Sequence, residues 1–151
     1  MVNGITFKGI RRNLVVVAVA AGLSFSFAGS AHAAEGYDLT PTTGDVAGAW
    51  AHGTWWQAAN GRYHLKGELK DTGNNDGKGA AFRIKAVYKD GGVRREEVWN
   101  SLGYGKIMPI GEYNFASNLK YWELQECILV QDGNYIRVGY CAPGVFTQYV
   151  Y

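Results

Sequence analysis

The chain is 151 residues long, 47% hydrophobic and 14% aromatic, with 15 basic and 13 acidic side chains. Three of the basic residues, Lys8, Arg11 and Arg12, fall within the first 33 positions, so the remaining 118 carry a formal net charge of −1. That length suits one domain with one core, and that charge balance excludes electrostatic recruitment to nucleic acid or to an anionic lipid surface.

Residues 1–33 read as an export signal that is cleaved. Lys8, Arg11 and Arg12 form a positive start, Leu14 to Phe27 is apolar or small, and Ala31-His32-Ala33 is a small-x-small cleavage site. The apolar run is shorter than the roughly 20 residues a spanning helix needs, and Ser24, Ser26 and Gly29 interrupt its end. The expectation is therefore a secreted, extracellular protein of residues 34–151 with no stable membrane span once the signal is gone. Arg11-Arg12 leaves the twin-arginine route open, although Leu14-Val15-Val16-Val17 suits the general pathway better.

From Val46 onward the pattern is that of short strands between glycine-rich turns. Ala47 to Gln57 is the first strand candidate. Tyr63, Leu65, Gly67 and Leu69 alternate with His64, Lys66, Glu68 and Lys70, a period of two that marks one buried and one wet face. Phe82, Ile84, Ala86 and Tyr88 repeat it against Arg83, Lys85 and Lys89. A tight turn at Asp90-Gly91-Gly92 then returns the chain through Val93 to Leu102, setting Glu96 or Glu97 across from Lys85. Lys106 to Ile110, Tyr113 to Leu119 and Val145 to Tyr151 are further candidates, and no apolar 3.6-residue period is sustained. The predicted class is all-β, an antiparallel β-sandwich of about eight or nine short strands, with a small β-barrel as the alternative.

Cys127 and Cys141 are the only cysteines, and an even count in an exported chain predicts a disulfide. Tyr121 to Gln131 and Tyr135 to Ala142 read as a hairpin around a three-residue turn, Asp132-Gly133-Asn134. That turn places Val130 opposite Ile136 and Ile128 opposite Val138, and leaves the cysteines one diagonal step apart. A diagonal pair is near the ~6.8 Å upper limit for bridged Cα atoms, so twist or a bulge near Gly139 is expected.

Signatures of catalysis are sparse. Residues 34–151 hold two histidines, His52 and His64, and two serines, Ser101 and Ser117, with no nucleophile elbow and no zinc spacing. Neither catalytic nor metal-ligating residues are predicted, and no cofactor. His64 reads as a solvated histidine, and His52, between Trp50 and Trp56 in strand parity, as a core or rim histidine. Glu96, Glu97, Glu112, Glu123 and Glu126 are the carboxylates from which a glycoside hydrolase would need a pair. Glu126 is the unusual one, sharing the apolar face of Trp122, Leu124, Ile128 and Val130, with Tyr140 as its expected hydrogen-bond partner. Asp71 to Gly79 offers oxygen ligands but departs from the calcium-loop template at its first and last positions, Thr72 and Arg83.

Aromatic residues carry the functional signal. All five tryptophans and ten tyrosines lie beyond residue 33. Trp55 and Trp56 are adjacent in a strand and so point to opposite faces, leaving one as a platform for a sugar ring or an anchor for a protein partner. Tyr149 and Tyr151 share a direction and extend the candidate binding set.

Gly67-Glu68-Leu69-Lys70-Asp71-Thr72, Asp76-Gly77, Phe82-Arg83-Ile84, Tyr88, Glu126-Cys127 and the late Cys141 together resemble the small secreted β-proteins common in actinobacteria. The resemblance implies export and a β fold with a C-terminal cysteine pair, and it carries over no functional residue. The expected function is that of a non-catalytic extracellular binding module for cell-wall glycan, polysaccharide or another secreted protein. The alternative is a small secreted antagonist, a protease inhibitor presenting Leu102 to Ile110 or a bacteriocin-like toxin, and the third reading is a small hydrolase.

Overall fold

A computed structural model describes residues 33–74 and 78–151. The export signal, apart from its last residue, and the centre of the Asp71 to Gly79 loop lie outside the described residues. Nine strands and no helix are present among them: β1 (Glu35–Asp38), β2 (Ala49–Gln57), β3 (Tyr63–Asp71), β4 (Gly79–Tyr88), β5 (Val93–Asn100), β6 (Ile107–Phe115), β7 (Leu119–Asp132), β8 (Tyr135–Cys141) and β9 (Phe146–Tyr149). They form two antiparallel sheets packed as a sandwich, not a barrel. Sheet A runs β1-β2-β3-β6 and sheet B runs β5-β4-β7-β8, with β9 also on β7.

The period-two alternation fixes which face each strand buries. Ala51 and Trp55 of β2, Tyr63, Leu65 and Leu69 of β3, Phe82, Ile84 and Ala86 of β4, and Trp122, Leu124 and Ile128 of β7 all enter one core. Trp122 is its centre, with the rings of Trp55, Phe115 and Tyr63 packed edge-on against it at 5.4, 5.5 and 6.1 Å. Sheet A approaches closely because Gly53 and Gly67 face each other across β2 and β3. A Cβ on Gly67 would collide with the His52 carbonyl oxygen and the Tyr37 hydroxyl. The Tyr37 ring fills the space these glycines leave and stacks on Phe82 of sheet B at 6.0 Å.

Four sequence expectations are corrected. β1 escaped notice because four residues, only one of them buried, show no period. The candidate Lys106 to Ile110 and the start of the candidate Tyr113 to Leu119 belong to one strand, β6, which ends at Phe115 while Leu119 opens β7; a bulge opposite Lys66 breaks its phase and keeps Ile110, Tyr113 and Phe115 on the core side. The β4–β5 turn spans four residues, Lys89 to Gly92, with Gly91 at φ 86°. The first pair beyond the turn is Val87 with Val93, so Arg95 stands opposite Lys85, and Glu97 opposite Arg83. The β7–β8 turn spans two residues, Gly133 and Asn134, so Val130 pairs with Arg137 and Ile128 with Tyr140.

The expected bulge is found at Gly139, where the register shifts between Ile128 and Leu129. Its effect is to set Cys127 and Cys141 directly opposite each other instead of diagonally, and they form a disulfide. Cys127 is fully buried, in a small second cluster with Ala81 and Leu129 on the outer side of sheet B. A buried disulfide fits an oxidising extracellular compartment. No helix among the described residues is long and apolar enough to cross a membrane.

Candidate functional site

The outer face of sheet A collects the even-numbered residues of β2 and β3: Trp50, His52, Thr54 and Trp56, opposite Lys70, Glu68, Lys66 and His64. Each of the two indoles is steadied by a histidine. Trp50 stacks on His52, its neighbour two residues along, with ring centroids 4.1 Å apart and planes 17° from parallel. Trp56 stacks on His64, its cross-strand partner, at 5.0 Å and 13°. Lys66 adds an ammonium 5.4 Å from the Trp56 ring centroid, a cation–π contact.

Polar partners lock these stacks. The Trp50 Nε1–H donates to Asp38 Oδ1 at 3.0 Å. His64 Nδ1 lies 2.8 Å from Glu112 Oε1 of β6, and His52 Nε2 lies 3.8 Å from Glu68 Oε2. His64, read from sequence as simply solvated, has a side chain only 13% exposed. His52 is on the outer face rather than in the core. Two open grooves adjoin the indoles, one of about 440 Å³ beside Trp50 and Asp38, the other of about 280 Å³ beside Trp56, Thr54 and Lys66. Rings fixed on a rigid sheet lose little entropy when a ligand lies against them, so the face is preorganised for stacking.

The candidate binding residues do not converge. Trp55 and Trp56 do point to opposite faces, but Trp55 is 5% exposed, packed against Trp122, and is removed from the accessible set. Trp56 remains. Tyr149 pairs with Tyr121 on the outer face of sheet B, across the sandwich from Trp56, and Tyr151 lies beyond the last strand, fully exposed. Tyr149 is thereby separated from the Trp56 surface. Trp50 was the missed member, although its parity signal was present in the sequence: it is six residues from Trp56, an even number, with His52 and Thr54 between on the same side.

The carboxylates are dispersed. Glu97 and Glu123 lie on the outer face of sheet B and are each held in an ion pair, with Arg83 at 2.6 Å and Lys85 at 2.7 Å. Glu96 pairs with Arg94, and Glu112 with His64. Glu126 is fully buried, and its partner is not Tyr140, which the two-residue turn moves opposite Ile128. Its carboxyl instead crosses between the sheets and accepts the backbone N–H of Val46 at 3.1 Å and of Ala51 at 2.6 Å. Loss of hydration raises its pKa to about 8; the two N–H donors oppose this and the neighbouring Asp45 adds to it. Glu126 has no accessible surface to meet a substrate, so its role is to clamp the segment leading into β2. Asp71 likewise serves a turn, its Oδ1 accepting the Gly73 N–H at 3.0 Å. No group of three or more metal-ligating side chains occurs among the described residues.

The fold and this face define a two-sheet β-sandwich with a histidine-supported tryptophan surface on one side. Comparison with protein-family models, with curated proteins and with solved structures finds no match.

Proposed function

We propose that the protein is a non-catalytic extracellular binding module that holds a cell-wall glycan or related polysaccharide on the outer face of sheet A. What supports this reading is the placement of Trp50 and Trp56 on one face of one strand, each indole set by a stacked histidine. Six residues of strand separate them by about 20 Å, a span suited to an extended polymer rather than a single ring. Sugar rings bury their apolar C–H faces on indole and satisfy their hydroxyls on flanking polar groups, here Asp38, Glu68, Lys66 and Lys70.

The test is co-sedimentation of the oxidised protein with cell walls, chitin and cellulose at low and high salt. Salt-resistant binding to one of them, lost in both Trp50→Ala and Trp56→Ala while the fold persists, is the expected result. Absence of binding to any of the three, or binding indifferent to both substitutions, rejects the glycan assignment and moves the partner to another secreted protein.

One observation favours the antagonist as a second reading. The Leu102 to Lys106 loop is rigid, because the buried Asn100 side chain donates to the Leu69 and Lys106 carbonyls at 2.8 Å and accepts the Leu102 N–H at 3.1 Å. It presents exposed Leu102 and Tyr104, as an inhibitory loop must, whereas Met108 and Pro109 are engaged in β6. Inhibition of a protease panel, abolished by Leu102→Ala, would support it.

A further inference from the structure

The outer face of sheet B carries a cleft of about 480 Å³, within the ~300–1,000 Å³ range of small-molecule sites. Its walls are charged: Arg83 and Lys85 of β4, Arg95 and Glu97 of β5, and Glu123 and Gln125 of β7 all line it. Glu97 neutralises Arg83, and Glu123 neutralises Lys85. Gln125 is held by its amide, which donates to the Ala142 and Gly144 carbonyls at 2.8 and 3.1 Å.

Arg95 is left over. Its guanidinium has no partner among the described residues, whereas Arg62, Arg83, Arg94 and Arg137 each have one. The register also places it directly opposite Lys85, a like-charge juxtaposition that costs stability and that the Val87–Val93 pairing enforces. Three cations and three carboxylates line the cleft, and the third carboxylate, Glu96, is taken by Arg94 outside it, so Arg95 leaves an unsatisfied planar fork of N–H donors at one side.

We propose that this cleft is a binding site for a hydroxylated carboxylic acid of single-ring size, a uronic-acid-type sugar, whose carboxylate is taken by Arg95. Glu97 and Glu123 accept hydrogen bonds donated by hydroxyls of the same ring, and the Lys85 ammonium donates beside the carboxylate. The cleft's carboxylates are already paired with Arg83, Lys85 and Arg94, so none is free for the ammonium of a zwitterion, and a free amino acid is disfavoured. The site is on the sheet opposite Trp50 and Trp56 and stands or falls independently of them.

Titration of the oxidised protein with glucuronate, followed by amide chemical shifts, is the test, with glucose, glycine and inorganic phosphate as parallel titrants. The expected result is saturable shifts confined to Arg83, Lys85, Arg95, Glu97 and Glu123 with glucuronate and not with glucose or glycine. Arg95→Gln breaks no contact in the protein and should weaken that binding by about tenfold or more with the spectrum otherwise preserved. Trp56→Ala should leave it unchanged. Shifts of equal size with phosphate would overturn the sugar-acid assignment in favour of a general anion site. No shifts at the cleft, or shifts unaffected by Arg95→Gln, would overturn the site itself.

Discussion

Glu126 makes the stability of this protein depend on pH in a direction opposite to that of most domains. Its carboxyl, raised from an ordinary 4.5 to about 8 by burial, is protonated in the folded state where the unfolded chain has already ionised. Below pH 4.5 both states hold the proton and the folded state keeps its full stability. As pH climbs from 4.5 to 8 the unfolded chain alone releases the proton, and stability falls. At ~1.36 kcal/mol per pH unit the interval corresponds to about 5 kcal/mol, comparable with the whole stability of a marginal domain. Exposed ion pairs such as Arg137 with Asp132 contribute only about 0–1 kcal/mol each. Urea unfolding of the oxidised protein at several pH values between 4 and 9 should show the midpoint falling with pH. Glu126→Gln keeps one acceptor oxygen and sets its amide NH2 against the other backbone N–H, so it should be less stable than wild type at pH 4.5 but keep that stability up to pH 8.5, without the wild-type fall. Glu126→Ala strands the Val46 and Ala51 N–H groups and should destabilise by about 2–6 kcal/mol at pH 4.5, a cost that shrinks toward pH 8.5 as wild type loses stability. A wild-type midpoint that rises from pH 5 to 8, or a Glu126→Gln variant with the wild-type slope, would refute this account of the buried carboxyl.

Other expectations follow from the same packing. The Tyr37 hydroxyl is buried with no hydrogen-bond partner among the described residues, so Tyr37→Phe should be neutral or raise stability by about 1 kcal/mol in thermal unfolding. Gly67→Ala, by contrast, drives a methyl into the β2 backbone and the Tyr37 hydroxyl, and should cost about 3 kcal/mol or prevent folding, read from soluble yield and circular dichroism. Reduction of the Cys127–Cys141 bridge, which closes a separation of 14 residues, should lower unfolding free energy by about 3 kcal/mol in denaturant titration. Trp55→Ala should cost about 3–5 kcal/mol without altering any ligand surface, whereas Trp56→Ala should alter the surface at much smaller cost.

How the strands divide into two faces was legible in the sequence, because a period of two is a local property of the pleated backbone. Tyr63 to Leu69 and Phe82 to Tyr88 show it plainly, and the opposed orientation of Trp55 and Trp56 follows from adjacency alone. Registers were less accessible. A β4–β5 turn centred one residue earlier than Asp90-Gly91-Gly92, and one residue fewer at Gly133-Asn134, changed every cross-strand partner, moving Arg95 to Lys85 and Tyr140 away from Glu126. Turn length depends on how the strands on either side pack, and glycine permits several solutions.

By itself, then, the sequence determined the all-β class, the antiparallel alternation, the cysteine pairing and the bulge at Gly139, since each rests on spacing along a few residues of chain. Only the tertiary structure decided which aromatics are usable. Trp55 and Trp56 have equal claims until the position of sheet B is known, for it is Trp122 on the facing sheet that makes one side of β2 a core. The same packing separated Tyr149 from Trp56, joined Trp50 to it, and left Arg95 uncompensated. Convergence of side chains is a property of how sheets are ordered and stacked, and pairings between residues far apart in sequence leave no periodic trace in it.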